Sequence, residues 1–178
     1  MPALEELAAL VVLAGVLAWY LTYTAGRLDR LHGRVEGARA ALDAQLVRRA
    51  TVTLELAGSG LLDPASSVLL ADAAHSARVA GDAERELAES NLSQTLRAAL
   101  DDDAVQALRE EEGGDEVLAD LAACAMRVRL ARRFLNDAVR ATGVVRAQRV
   151  VRWARLAGRA AAPAGFEMDD EPPPALEV

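Results

Sequence analysis

From Leu7 to Gly26 the chain runs twenty residues without a charge, LAALVVLAGVLAWYLTYTAG. As an α-helix rising ~1.5 Å per residue this run is about 30 Å long, the thickness of a bilayer's hydrocarbon core. The core helix of a small soluble domain would carry a polar face, and this run offers little beyond two threonines. A cleaved signal peptide would open on basic residues, yet Glu5 and Glu6 precede the run and the small-residue site near Ala25 is poor. The pattern therefore predicts one membrane span over about 7–26. Arg27, Arg30 and Arg34 follow it, and cytoplasmic flanks accumulate arginine, so the bulk of the chain is expected in the cytoplasm. Trp19, Tyr20 and Tyr23 sit toward the basic end, where amphipathic rings favour the headgroup layer. With Arg27 and Arg30 they form the expected membrane-interface set.

After the span, Leu28, Leu31, Val35, Ala38, Leu42 and Leu46 recur at intervals of three and four, which continues the helix to about Ala57. Gly58-Ser59-Gly60 ends it. Asp63-Pro64 reads as an N-cap with proline at the first helical position, where a missing N–H costs nothing. That second helix is expected to reach about Leu100, with a kink at Gly81. Asp101-Asp102-Asp103 caps a short third helix ending before Gly113-Gly114, and Asp115 opens the next. There Val117, Leu121, Cys124, Val128, Ala131, Leu135 and Ala138 alternate spacings of four and three, a coiled-coil-like seam. On this seam Cys124 reads as a small apolar packing residue.

Composition sharpens the class. Ala supplies 39 residues and Leu 27, Ile is absent, and six aromatics occur in 178 residues, which favours helix over sheet. All 20 cations are Arg against 27 acids, a formal charge of −7 that gives no general attraction to nucleic acid. Five of those acids (Glu167, Asp169, Asp170, Glu171, Glu177) fall in the last twelve residues. Acidic, with three consecutive prolines, residues 163–178 are expected to be a disordered tail. Domain organisation is then anchor 1–26, cytoplasmic helical bundle 27–162 and tail 163–178.

Val144 to Ala162 carries Arg146, Arg149, Arg152, Arg155 and Arg159 without an acid, together with Val150, Val151, Trp153 and Leu156. Two readings stay open: a last bundle helix with a solvated Arg face, or a basic amphipathic helix lying on anionic lipid of the inner leaflet. Chemistry is harder to find. The chain has no Gly-rich phosphate loop and no HExxH, and His32 and His75 are too far apart for metal-ligand spacing. Glu110-Glu111-Glu112 reads as a solvated helix end. No enzyme activity, metal or other cofactor is expected.

The segment AGRLDRLHGRVEGARAALDAQLVRRATVTLELA, with Asp43 followed by the pair Arg48-Arg49, resembles the LemA family, whose members place such a charged helix soon after a single N-terminal span. Ala77-Arg78 in AHSARVA and Arg132, Arg133, Phe134, Asn136, Asp137 and Val139 in ARRFLNDAV extend the likeness. So does Gly165-Phe166-Glu167 before an acidic end. The chain is similar to a divergent member, since Leu135 stands where the family usually has tyrosine and Asp101-Asp102-Asp103 replaces an aromatic-proline turn. Arginine without lysine suits a high-GC bacterium.

The resemblance implies an all-α protein, a single transmembrane helix continuing into an antiparallel bundle of long helices in the bacterial inner membrane. The family has no agreed biochemical activity. The expected function is a membrane-anchored scaffold presenting its helices to an unidentified protein partner, and the alternative is a lipid-binding or membrane-shaping protein using the Arg-rich stretch. Asp43, Arg48, Arg49, Arg78, Arg132, Asn136 and Asp137, picked out by the resemblance, are expected to meet across helices. There they would form either an interhelical polar network or an interaction surface.

Overall fold

The computed structural model describes residues 2–158 and 160–176. Arg159 and Glu177, singled out above, lie outside them. The described chain is all-helical, with α1 (Pro2–Gly58), α2 (Pro64–Val79), α3 (Arg85–Ala99), α4 (Asp102–Glu110), α5 (Gly114–Arg146), the short α6 (Arg149–Trp153) and a 3-10 turn at Pro174–Leu176. No strand occurs among these residues.

Helix ends follow local chemistry. Asp63 accepts from the backbone N–H groups of Ala65 and Ser66 at 2.9 and 3.1 Å, which satisfies two of the orphan donors of α2, and Pro64 at the first position removes another. Asp101 does the same for α4 through Ala104 N–H at 2.8 Å. Between α4 and α5 the chain turns at Gly113, whose φ of 83° suits glycine. A Cβ at Gly114 would stand 1.7 Å from the Leu108 carbonyl oxygen, so this close approach of backbone to backbone excludes any side chain. The single kinked helix expected from Pro64 to Leu100 is instead two. Gly81 and the turn that follows it separate α2 from α3, and the two helices pack on each other.

Two compact units make up the chain, Met1–Gly37 with Asn136–Gly165, and Ala38–Leu135 with Phe166–Val178. Both α1 and α5 contribute residues to each unit. In the larger unit the core is drawn from every helix it holds. Ala50, Val52 and Leu56 of α1 meet Leu70 and Ala74 of α2, Leu92 and Leu96 of α3, Val105 and Leu108 of α4, and Leu118, Leu121 and Cys124 of α5. Most of the α5 seam is buried, Leu121, Cys124, Val128, Leu135 and Ala138 among it, while Val117 and Ala131 are half-buried. Cys124 is free and packed in the core.

In the smaller unit Leu28 of α1, Val145 of α5 and Val151 of α6 form a second cluster, flanked by Leu31, Leu156 and Ala157. The expected long Arg-rich helix over 144–162 is not present. Helix α5 stops at Arg146, α6 lasts five residues, and a turn follows. Folding the stretch back in this way places Val145, Val151 and Leu156 in one apolar cluster, whereas in a straight helix Val151 would face about 120° away from Val145.

The C-terminal segment is the other correction. Phe166, Met168, Pro173 and Leu176 are buried in the larger unit, and the 3-10 turn lies against α4. Residues 166–176 are docked because their acids find arginines and their apolar side chains find the helices, partners that the segment's own composition does not reveal.

Candidate interaction site

Arg49 and Glu89 form the most deeply buried polar pair of the larger unit, with side chains 4% and 1% exposed. One Arg49 amino group donates to Glu89 Oε2 at 2.6 Å and to the Glu89 carbonyl at 3.1 Å. The other donates to Ser93 Oγ at 2.9 Å. Ser93 Oγ in turn donates to the Glu89 carbonyl at 3.2 Å. The pair joins α1 to α3, and only Arg49 Nε is left without a hydrogen bond among its described neighbours. Buried Thr53 needs no cross-helix partner, since its hydroxyl returns to the Arg49 carbonyl four residues back at 2.9 Å.

One turn along α3, the C-terminal segment is clamped. Arg97 makes a two-pronged ion pair with Asp169, Nη1 at 3.0 Å from Oδ1 and Nη2 on Oδ2, and Nη1 also reaches the Glu171 carbonyl at 2.7 Å. Bidentate arginine–carboxylate pairing of this kind is the strong form. Asp169 N–H donates to Ser90 Oγ at 3.1 Å, and Glu167 N–H donates to Glu86 Oε1 at 2.9 Å. From α5, Arg132 Nε donates to Asp170 Oδ2 at 2.7 Å, and its Nη1 lies 3.7 Å from Glu167. The segment thus forms a strap over α3 and α5.

The strap is expected to loosen in acid. Hydrogen bonding from Arg97 is the largest of the influences that hold the Asp169 carboxyl below its ordinary value, and the Arg49 charge adds to it. A carboxyl with a lowered docked value favours docking fully above its undocked value of about 4, and that contribution disappears as pH falls through the docked value. Asp169→Asn in the full-length protein is expected to raise proteolytic nicking between Glu167 and Glu171 at neutral pH, whereas the wild type reaches comparable nicking only under acid. Equal resistance of both proteins at neutral pH would count against the clamp.

Those of the expected residues that meet across helices do so in separate pairs. Arg48 lies 3.5 Å from Asp120 and Asp43 lies 3.7 Å from Arg85, the first pair solvent-exposed and the second partly so. Asp137 pairs with Arg140 on its own helix at 3.5 Å. Arg78 is exposed in the last turn of α2, and Asn136 is half-buried. Asp43, Arg49 and Arg132 of the seven take part in the cross-helix contacts around α3 and the strap. Glu89, Ser93, Arg97, Asp169 and Asp170 complete them and were not among the expected interaction residues. A signal for the first existed, because Glu89 interrupts the apolar stripe continued by Leu92, Leu96 and Leu100 as Arg49 interrupts the one running through Leu46 and Leu56.

At the other end of α1, Trp19, Tyr20 and Tyr23 are exposed, and Trp19 stacks on Tyr23 one turn away with ring centroids 6.0 Å apart. Arg27 and Arg30 are exposed beside them. Helix α1 is long and apolar enough to cross a membrane, and only 6% of its most apolar window is buried. Among the described residues no group of three His, Cys, Asp or Glu side chains is placed to hold a metal ion. The chain matches no protein-family model, no curated protein and no solved structure.

Proposed function

We infer that the protein is a single-pass scaffold of the LemA type, anchored in the bacterial inner membrane and presenting a cytoplasmic helical body to a protein partner. The observation that carries this reading is the apolar run of α1. Residues 7–20 of the run are all exposed, its last turn around Thr24 is covered, and the helix continues without a break into residues that build the packed units. Water is a costly environment for such a surface, and a bilayer is the solvent that matches its length. Arginines after the span and glutamates before it support a cytoplasmic body. Exposed Leu69, Val79 and Leu87 around a groove of about 550 Å³ between α2 and α3 support the partner. Asp72 and Glu84 also line it, so the groove suits an apolar helix with basic flanks.

Two arms of one experiment in host membranes test this. Fusions to Val178 should give fluorescence with a fluorescent protein and no activity with alkaline phosphatase; the opposite pattern would reverse the orientation. A photo-crosslinker at Leu87 should trap one defined protein that the same crosslinker at exposed Gln94 does not. Loss of the chain to the carbonate-soluble fraction would remove the anchor, and identical products at both positions would remove the partner groove.

A further inference from the structure

We propose that the turn formed by α6 and the residues after it is a foot that rests on the anionic headgroups of the same membrane in which α1 is anchored, through Arg149, Arg152, Arg155 and Trp153. The proposal rests on the membrane-anchor reading of α1 and adds a second contact of defined chemistry. Its first support is position. Val145, Val151 and Leu156 pack on Leu28 and Leu31 of α1. These two leucines stand two and five residues beyond Gly26, the last residue of the apolar run. At ~1.5 Å per residue they lie about 3 and 7 Å past the hydrocarbon edge, while a headgroup layer is about 5 to 7 Å thick on each side. The packing therefore holds α6 at headgroup depth.

The second support is which side chains are left over. Arg146 is engaged within the unit, with Nη1 3.1 Å from His32 Nε2 and Nη2 donating to the Ala160 carbonyl at 2.7 Å. Arg149, Arg152 and Arg155 are exposed, and no carboxylate pairs with any of them among the described residues. Trp153, beside them, is 79% exposed, and Val144 is also uncovered. An exposed indole amid unpaired arginines matches the chemistry of an anionic interface, where the ring enters the headgroup layer and guanidinium forks take phosphates in pairs of hydrogen bonds.

The backbone supplies a third, independent support. Helix α6 ends in a Schellman motif: Leu156 N–H donates to the Val151 carbonyl at 3.0 Å and Arg155 N–H to the Arg152 carbonyl at 3.3 Å. Leu156 and Val151 make the apolar contact that accompanies this motif. The residue between the helix and Leu156 must be left-handed, and glycine usually occupies it. Here it is Arg155, with φ 50°. A non-glycine residue is strained there, so the turn carries an arginine where its own stability would favour glycine. An arginine used for its side chain accounts for that choice.

Trp153 gives the readout. In a Trp19→Phe background it is the only tryptophan, and the full-length protein can be placed in nanodiscs of phosphatidylcholine with or without phosphatidylglycerol. Trp153 emission should shift to the blue, and be quenched by headgroup-labelled lipid, as phosphatidylglycerol content rises. Inorganic phosphate added to phosphatidylcholine discs should not reproduce the shift. Arg155→Gly should leave thermal unfolding unchanged or raise its midpoint while moving the response to higher phosphatidylglycerol content. Joint replacement of Arg149, Arg152 and Arg155 by Gln should abolish the response, and by Lys should largely retain it. Water-like emission in both lipids, from wild-type chain incorporated in the discs, would overturn the foot and leave the anchor standing. Failure of the wild-type chain to incorporate would overturn both.

Discussion

Glu89→Ala is expected to destabilise the full-length protein by about 3 to 5 kcal/mol, the cost of leaving a buried arginine without its counter-charge. Arg49 is enclosed by α1 and α3, and nothing else near its amino groups besides Ser93 and the Glu89 carbonyl accepts a hydrogen bond. Arg49→Ala should cost a comparable amount for the converse reason, a carboxylate left in an apolar surrounding. The double variant Arg49→Met with Glu89→Leu removes both charges and keeps volume. It is expected to recover most of the loss, because replacing a whole buried pair by apolar side chains is often neutral. Urea unfolding in mild detergent, followed by far-UV circular dichroism, measures all three. A loss below about 0.5 kcal/mol for Glu89→Ala, the range of ordinary surface changes, would show that the pair is open to water. Failure of the double variant to recover would show that the pair specifies packing as well as neutralising charge.

Leu121→Ala and Leu135→Ala should each cost about 2 to 5 kcal/mol, with the spread set by how far neighbouring helices can close on the cavity. Leu121 sits in the larger core between Leu118 and Cys124, where α1 to α4 all contribute, so relaxation there would have to move several helices together. Leu135, on the same stripe, is equally inaccessible. Leu130 lies on another face of α5 and is partly exposed, so Leu130→Ala serves as the control and should change stability by no more than about 0.5 kcal/mol. Equal effects at all three positions would mean that the stripe is not the packed face.

Class, helix ends and the packed stripes were legible in the chain itself. Apolar residues at three- and four-residue intervals specify a helical face without reference to anything distant, which is why Leu28, Val35, Leu42 and Leu46 are buried as their spacing implies. Asp63 and Asp101 cap because a capping bond spans only two or three residues. The uninterrupted apolar run from Leu7 to Gly26 likewise needs only its own length to be read.

What tertiary structure decided is pairing between residues far apart in sequence. An isolated acidic, proline-rich segment has no apolar partner and no counter-ion, so Asp169 and Asp170 read as solvated until α3 brings Arg97 and α5 brings Arg132 to them across 72 and 38 residues. The same holds for Arg49, whose carboxylate is 40 residues away. Arg-rich residues 144–162 have a helical pattern, yet the gain from burying Val151 and Leu156 beside Leu28 breaks that helix after Arg146. Local periodicity records what one segment prefers alone. Burial shared between segments decides which of those preferences survives.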